Sequence, residues 1–275
     1  MTKPASAALI DKVGLLLRAA AAAAIMPRYR KLRASDTMEK APGEIVTIAD
    51  REAERIIADG LRALKPGAVI VGEEAAFERP DLLAQLSLEG YAFLIDPVDG
   101  TRNFASGKPP FSVMVALLDH GQPCAAWMLD PLRDELAVAE RGSGAYFDQI
   151  RIRTNQTSRP LEHITGAISG RFIPPDLNKH FAARTGVFEK ILPPPSCAGH
   201  EYPSIAKGRQ QFTLYWRTLP WDHAPGSLFL TEAGGHVARL DGTPYAPTGT
   251  GNGLLAAENA EIWKQVAGVL AGRGE

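Results

Sequence analysis

The chain of 275 residues carries 30 Lys and Arg against 31 Asp and Glu, and 45% of its residues are hydrophobic. That length suits one large domain or two closely joined ones, and so high an apolar fraction excludes a disordered chain. A formal charge of −1 leaves no basic surplus to neutralise a phosphate backbone, so nucleic-acid binding is not expected.

Taken in chain order, Leu9, Val13, Leu16, Leu17, Ala20 and Ala24 recur at helical spacing, and Pro27 marks a stop. Charges at Asp11, Lys12 and Arg18 interrupt this apolar run, short of the ~20 residues a membrane span needs. A helix is predicted over Thr47 to Leu64, with Ala53, Ile56, Ile57, Gly60, Leu61 and Leu64 as its buried stripe. Ala68 to Val71 reads as a short strand running into Gly72-Glu73-Glu74. Ala92 to Ile95 repeats the arrangement and delivers Asp96.

Segments 112–118, 124–129, 135–140 and 145–152, separated by short turn signals, predict an antiparallel meander. Beyond residue 160, strands (164–169, 189–192, 212–216) alternate with helices (177–185 and near 204–207). A further helix begins near Trp221 and ends at Gly234-Gly235, and Ile262 to Leu270 forms a last amphipathic one. The expected class is mixed α/β, with helices layered between sheets. No polar linker divides the chain. One unit over residues 1–275 is expected, with closely joined subdomains of roughly 1–155 and 156–275.

Cys124 and Cys197 form no CxxC or Cys/His cluster, which argues against a disulfide scaffold or structural zinc and suits a reducing cytoplasm. There is no GxSxG elbow and no Walker A sequence. The six histidines show no HExxH spacing, and Gly249 to Gly253 precedes a strand, so it reads as a turn.

Three acidic groups stand out: Glu73-Glu74, Asp96-Pro97-Val98-Asp99-Gly100-Thr101, and Asp222 in Trp221-Asp222-His223-Ala224-Pro225-Gly226. Taken singly, each has an ordinary reading. Asp-Pro and Asp-Gly are turn residues, Asp222 ahead of Pro225 looks like a helix N-cap, and Glu73-Glu74 looks like a solvated loop. In open α/β sheets, however, the carboxyl ends of strands form the ligand crevice, where Glu73 and Asp96 are placed to meet. Two unit charges 4 Å apart repel by about 4 kcal/mol at an effective dielectric near 20. Carboxylates gathered so closely need protons or cations, and Mg²⁺ takes this kind of all-oxygen donor set together with a phosphate.

These motifs, with Glu44-Ile45-Val46-Thr47-Ile48-Ala49-Asp50 as a fourth, resemble the signatures of the inositol monophosphatase family. This is the Mg²⁺-dependent, lithium-sensitive phosphatase superfamily, to which fructose bisphosphatases and phosphoadenosine phosphatases also belong. The resemblance runs from about Lys40 to Ala257. It implies a layered α/β/α/β/α sandwich, commonly a homodimer, that hydrolyses a small phosphate monoester. It further implies that Glu73, Asp96 and the Val98 carbonyl hold one Mg²⁺, and that Asp96, Asp99 and Asp222 hold a second. Some members bind a third near Glu73. Glu73 and Thr101 would orient a metal-activated water, with Asp50 accepting the Thr101 proton, and the Gly100 and Thr101 amides would bind phosphate.

Departures from the family pattern bear on substrate. Gly199-His200-Glu201-Tyr202 stands where a small-residue run is usual, Tyr215 replaces a glutamate, and Arg102 replaces a residue that is commonly threonine. Arg102, Gly199, His200, Glu201, Tyr215 and Arg217 are therefore the candidate substrate contacts. Inositol 1-phosphate is the nominal substrate, with histidinol phosphate, fructose 1,6-bisphosphate and 3′-phosphoadenosine 5′-phosphate as alternatives. A reading of another class is a regulatory, partner-binding protein that keeps the fold without turnover.

Overall fold

The computed structural model describes residues 6–87 and 89–272. Helix α1 (Ala7–Ala20) starts at Ser6, whose hydroxyl accepts the Leu9 amide, and runs on through a π-helical turn (Ala21–Ile25) towards Pro27. A hairpin of β1 (Thr37–Ala41) and β2 (Glu44–Thr47) leads into α2 (Ile48–Leu64). Thr47 and Asp50 form a capping box there, which fixes the start of α2. Strand β3 (Val69–Gly72) then passes straight into α3 (Glu73–Glu78), and β4 (Tyr91–Asp99) into the single turn α4 (Thr101–Ala105).

The meander comprises β5 (Ser112–Asp119), β6 (Gln122–Asp130), β7 (Glu135–Glu140), β8 (Gly144–Phe147) and β9 (Ile150–Ile152). With β3 and β4 it makes a seven-stranded sheet in sequential order, antiparallel except for the β3–β4 pair. The expected single strand over 145–152 is two. Asp148 and Gln149, both at positive φ, turn the chain back in a two-residue hairpin.

The second half supplies β10 (Thr165–Ser169), α5 (Pro175–Ala182), β11 (Lys190–Leu192), α6 (Ala198–Ala206), β12 (Phe212–Tyr215), α7 (Pro220–Glu232), β13 (His236–Arg239), β14 (Leu254–Ala257) and α8 (Ala260–Ala271). Its five-stranded sheet has the order β11-β10-β12-β14-β13 and mixes parallel and antiparallel pairs. Asp222 is not an N-cap. Leu219 holds that place, and Asp222 lies in the first turn of α7, where a carboxylate favours the helix dipole.

Alternating side chains divide the core into five layers. On β4, β5 and β6, Phe93, Ile95, Val113, Val115, Leu117 and Trp127 face α1 and α2. The opposite face of that sheet presents Met114, Ala126 and Met128 to Tyr202 and Ile205 of α6 and to Leu228 and Phe229 of α7. Those helices lie in turn on Tyr215, Leu254 and Ala256 of the smaller sheet, whose other face packs on α8 through Ile262, Trp263, Val266 and Leu270. The order is α/β/α/β/α, as expected, and the middle helices bring residues of the second half against β3 and β4.

Candidate active site

Asp96 and Asp99 are three residues apart on one strand, so a regular pleat would point them to opposite faces. The register prevents this. Asp96 pairs with Met114 and Asp99 with Ser112, so β4 has one residue more than β5 between these pairs. That bulge falls at Pro97-Val98 and re-aims the strand end, as bulges beside sites commonly do. Both aspartates line one cleft, with Glu73 from α3 and Asp222 from α7. The cleft is partly open to solvent and is lined mainly by charged and polar side chains.

Each acid is held by its surroundings. Asp96 Oδ1 accepts the Val98 amide at 3.0 Å. Asp99 Oδ2 accepts the Ser112 hydroxyl at 3.0 Å and the Gly199 amide at 2.7 Å. Asp222 adds a further carboxylate beside Asp96 and Asp99. Burial first, then the neighbouring carboxylates, pushes Asp96 and Asp222 well above the ordinary range. Asp99 is pushed up by burial, against the hydrogen bonds that favour its charge. These acids strain against sharing one small volume, and positive charge is what relieves them.

Among the described residues, no three His, Cys, Asp or Glu side chains form a ready-made metal cluster. Glu73 has a cation partner within the chain. Lys40 of β1 places its amine 2.7 Å from Glu73 Oε1 and 2.6 Å from Glu74 Oε1. Burial opposes the ammonium's charge, but the two carboxylates outweigh it and hold Lys40 above its ordinary value. Glu74 itself is pushed up to about 8 by burial and then by Glu73. Nothing in the motifs marks Lys40 as a site residue, because a lone lysine 33 positions upstream belongs to none of them. The donor set still fits a hard divalent cation: Glu73, Asp96, Asp99, Asp222 and the Val98 carbonyl are all oxygen, all line one cleft, and lack enough positive charge.

Asp50 is fully buried at the start of α2, where Oδ2 accepts the Thr47 amide at 2.9 Å and the Thr47 hydroxyl at 2.5 Å. Its Oδ1 lies 3.2 Å from the Thr101 hydroxyl. That hydroxyl has a second acceptor, the Val98 carbonyl at 2.9 Å, so its one proton has two places to go. Burial pushes Asp50 up to about 7. Gly100 precedes α4 at φ 85°, and a Cβ there would stand 3.0 Å from the Pro110 carbonyl, so only glycine suits both. Gly72 is equally constrained. Glu54 of α2 accepts the Glu74 and Ala75 amides, and a Cβ on Gly72 would meet that carboxylate at 2.2 Å.

The candidate substrate contacts separate. Glu201 and Tyr215 line the cleft, and Glu201 is pushed up to about 8 by burial and then by Asp99. The cleft wall at this point is the small stretch Ser196-Cys197-Ala198, joined by Glu201 from the bulkier stretch after it. Gly199 acts through its amide on Asp99, and a Cβ there would fall 2.1 Å from the Ser112 hydroxyl. His200 does not line this cleft. It turns into a small separate cavity with Asp130, Arg133, Lys207 and Arg209, because the helical turn of α6 sends it away from Glu201.

Arg102 lies at the cleft mouth and donates through Nε and Nη2 to the Gly43 carbonyl at the hairpin tip. Arg217 pairs with Glu44. Sequence reasoning passed over Arg171 and Phe172, which also line the cleft. His223, beside Asp222, is buried and held neutral, pushed down to about 4 by burial. Its Nε2 donates to the Arg217 carbonyl at 3.2 Å, and Nδ1 accepts from the Tyr202 hydroxyl at 3.1 Å. It therefore braces α6 against α7, and does not line up as a ligand.

A layered α/β/α/β/α fold with an acid-lined cleft at the strand ends defines a class, and comparison with known proteins identifies it. The model of the inositol monophosphatase family matches residues 8–271, and the chain belongs to that family. It is 32% identical to a fructose-1,6-bisphosphatase/inositol-1-monophosphatase of Thermotoga maritima over 86% of this chain and 90% of the relative. It is also 32% identical to the Nus factor SuhB of Vibrio cholerae, over 78% and 79% respectively. Among solved structures, a Thermotoga maritima IMPase superposes with a TM-score of 0.81 at 29% identity, covering 95% of this chain and 96% of the other.

Proposed function

We propose that this protein is a Mg²⁺-dependent phosphatase of small phosphate monoesters, for which inositol 1-phosphate is the family's nominal substrate. The observation that supports this reading most is the convergence of Asp96, Asp99 and Asp222 from both halves of the chain on one cleft. Magnesium, held by Glu73, Asp96, Val98, Asp99 and Asp222, would supply an acidified water as nucleophile and positive charge for the phosphoryl oxygens. The protein's own part is positioning. Thr101 and Glu73 orient the attacking water, and Asp50 takes the Thr101 hydroxyl proton along the 3.2 Å contact. The Gly100 and Thr101 amides hold the phosphoryl group. Glu201 and Tyr215, as polar groups on the cleft floor, suit hydroxyls of a polyol or sugar. In this reading Glu73 must leave Lys40 to meet the metal. A homodimer and inhibition by lithium belong to the same proposal.

The test is phosphate release with and without Mg²⁺ by the wild type, Asp99→Asn and Asp222→Asn. Variants as fast as the wild type would refute the metal assignment. The similarity to SuhB proteins named as Nus factors favours a second reading, in which the fold serves a partner. A stoichiometric partner together with no hydrolysis of any monoester would establish it.

A further inference from the structure

Opposite the carboxylates, the mouth of the cleft is lined by three arginines from distant parts of the sequence: Arg102 of α4, Arg171 after β10, and Arg217 after β12. Arg102 and Arg171 both donate to the same Gly43 carbonyl. Arg171 and Arg217 take up positions over one ring, Phe172, with guanidinium carbons 4.6 and 3.8 Å from its centroid. Among the described residues, the one carboxylate paired with any of the three is Glu44, on Arg217. Three cations against one anion at a single rim is a local excess of two positive charges. Like charges so placed are unfavourable by themselves, and the Arg171 guanidinium is indeed depressed by burial and then by Arg102 and Arg217. A guanidinium fork has five donors and is built to grip carboxylate or phosphate in two-pronged fashion.

We propose that Arg171, with Arg102 and Arg217, binds a second anionic group of the substrate, a phosphate or carboxylate distinct from the phosphate that is hydrolysed. The inference deepens the phosphatase reading and rests on it. The substrate class is then a doubly anionic compound, such as a sugar bisphosphate or a phosphorylated sugar acid, with its reacting phosphate at Asp96 and Asp99. Its second anion lies at the arginine rim, with hydroxyls between them on Glu201 and Tyr215. A neutral polyol monophosphate leaves the rim without a partner.

The experiment compares kcat/KM for fructose 1,6-bisphosphate, 2-phosphoglycerate and inositol 1-phosphate, in Mg²⁺, with wild type and Arg171→Ala. The expected result is a preference of at least about tenfold for one of the doubly anionic substrates, which also tells phosphate from carboxylate. Arg171→Ala should lower that substrate's kcat/KM at least about tenfold more than that of inositol 1-phosphate, and Arg171→Lys should restore part of the loss. Equal values for all three substrates, or equal losses in the variant, would overturn the proposal. Calorimetric binding of fructose 1,6-bisphosphate to Asp99→Asn, alone and combined with Arg171→Ala, separates the two ideas. If no substrate is hydrolysed, the phosphatase reading fails, yet weaker binding in the double variant still supports the arginine site. Equal binding refutes it.

Discussion

The ammonium of Lys40 stands 2.7 Å from Glu73 Oε1, on a side chain only 6% exposed. It contributes the positive charge that a divalent ion would otherwise bring to Glu73. Replacing it with methionine removes that competitor but leaves Glu73 and Glu74 facing each other. The metal-free Lys40→Met protein should be less stable by about 3 kcal/mol, the usual consequence of breaking a buried pair. Mg²⁺ should stabilise the variant more than the wild type. Urea unfolding with and without Mg²⁺ measures both, and an unchanged Mg²⁺ response would sever Lys40 from the metal site.

Asp96 gives the opposite sign. Burial and its acidic neighbours raise its proton affinity, so the charged form is a burden on the fold. Asp96→Asn keeps an oxygen for the Val98 amide and discards the repulsion. Without metal it should unfold at higher urea than the wild type at pH 8, by on the order of 1–2 kcal/mol. Its activity should fall at least about 100-fold. A variant that loses stability and activity together would point to simple misfolding.

The same balance sets a pH dependence. Asp50 at about 7 and Glu74 and Glu201 at about 8 all lie above their unfolded values, as do Asp96, Asp99 and Asp222. The folded chain therefore binds more protons than the unfolded one between about pH 4 and 8, and stability must fall as pH rises through that window. Metal-free protein should melt at a lower temperature at pH 8 than at pH 5.5. Added Mg²⁺ should narrow the gap, because it replaces the protons. Calorimetry at the two pH values decides it, and a metal-free protein most stable at pH 8 would contradict the site's electrostatics.

In the proposed reaction Thr101 and Asp50 act on one proton. Thr101→Val and Asp50→Asn should each lower kcat about 10- to 100-fold with KM little changed. The double variant should be no worse than the poorer single one, since residues that act as a unit are not additive. Additive losses in steady-state kinetics would place the two in separate roles.

Gly199 and His200 are adjacent in sequence yet differ in consequence. Gly199→Ala drives a Cβ into Ser112 and displaces the amide from Asp99, for a loss of about 1–3 kcal/mol and a fall in kcat. His200→Ala, in the neighbouring cavity, should leave kcat/KM within about twofold. A reversal of these effects in the kinetic assay would return His200 to the substrate cleft.

What could be read from the amino-acid order follows a physical divide. β4 was legible because Phe93, Leu94 and Ile95 form a buried run that ends at an acid, and α2 because its apolar stripe is regular. The β1–β2 hairpin was not, since Thr37–Ala41 and Glu44–Thr47 are too short and too polar on both faces to show a period. Helix α6 was expected only near 204–207, because Gly199 and Pro203 disguise a helix stabilised by burial between two sheets. The acids of the site belong to contiguous motifs and announced themselves. The cations Lys40 and Arg171 are single residues that only the fold assembles, whereas Arg217 was already a candidate contact.

The bulge at Pro97-Val98, the amide of Gly199 and the first turn of α7 each come from a different stretch of chain, and each aims or holds one acid of the cleft. Asp96, Asp99 and Glu73 are thus gathered by the larger sheet itself, and Asp222 joins them only when α7 lies against it. Packing α7 against that sheet therefore works against charge, and a bound cation would act as a clasp between the two halves of the chain.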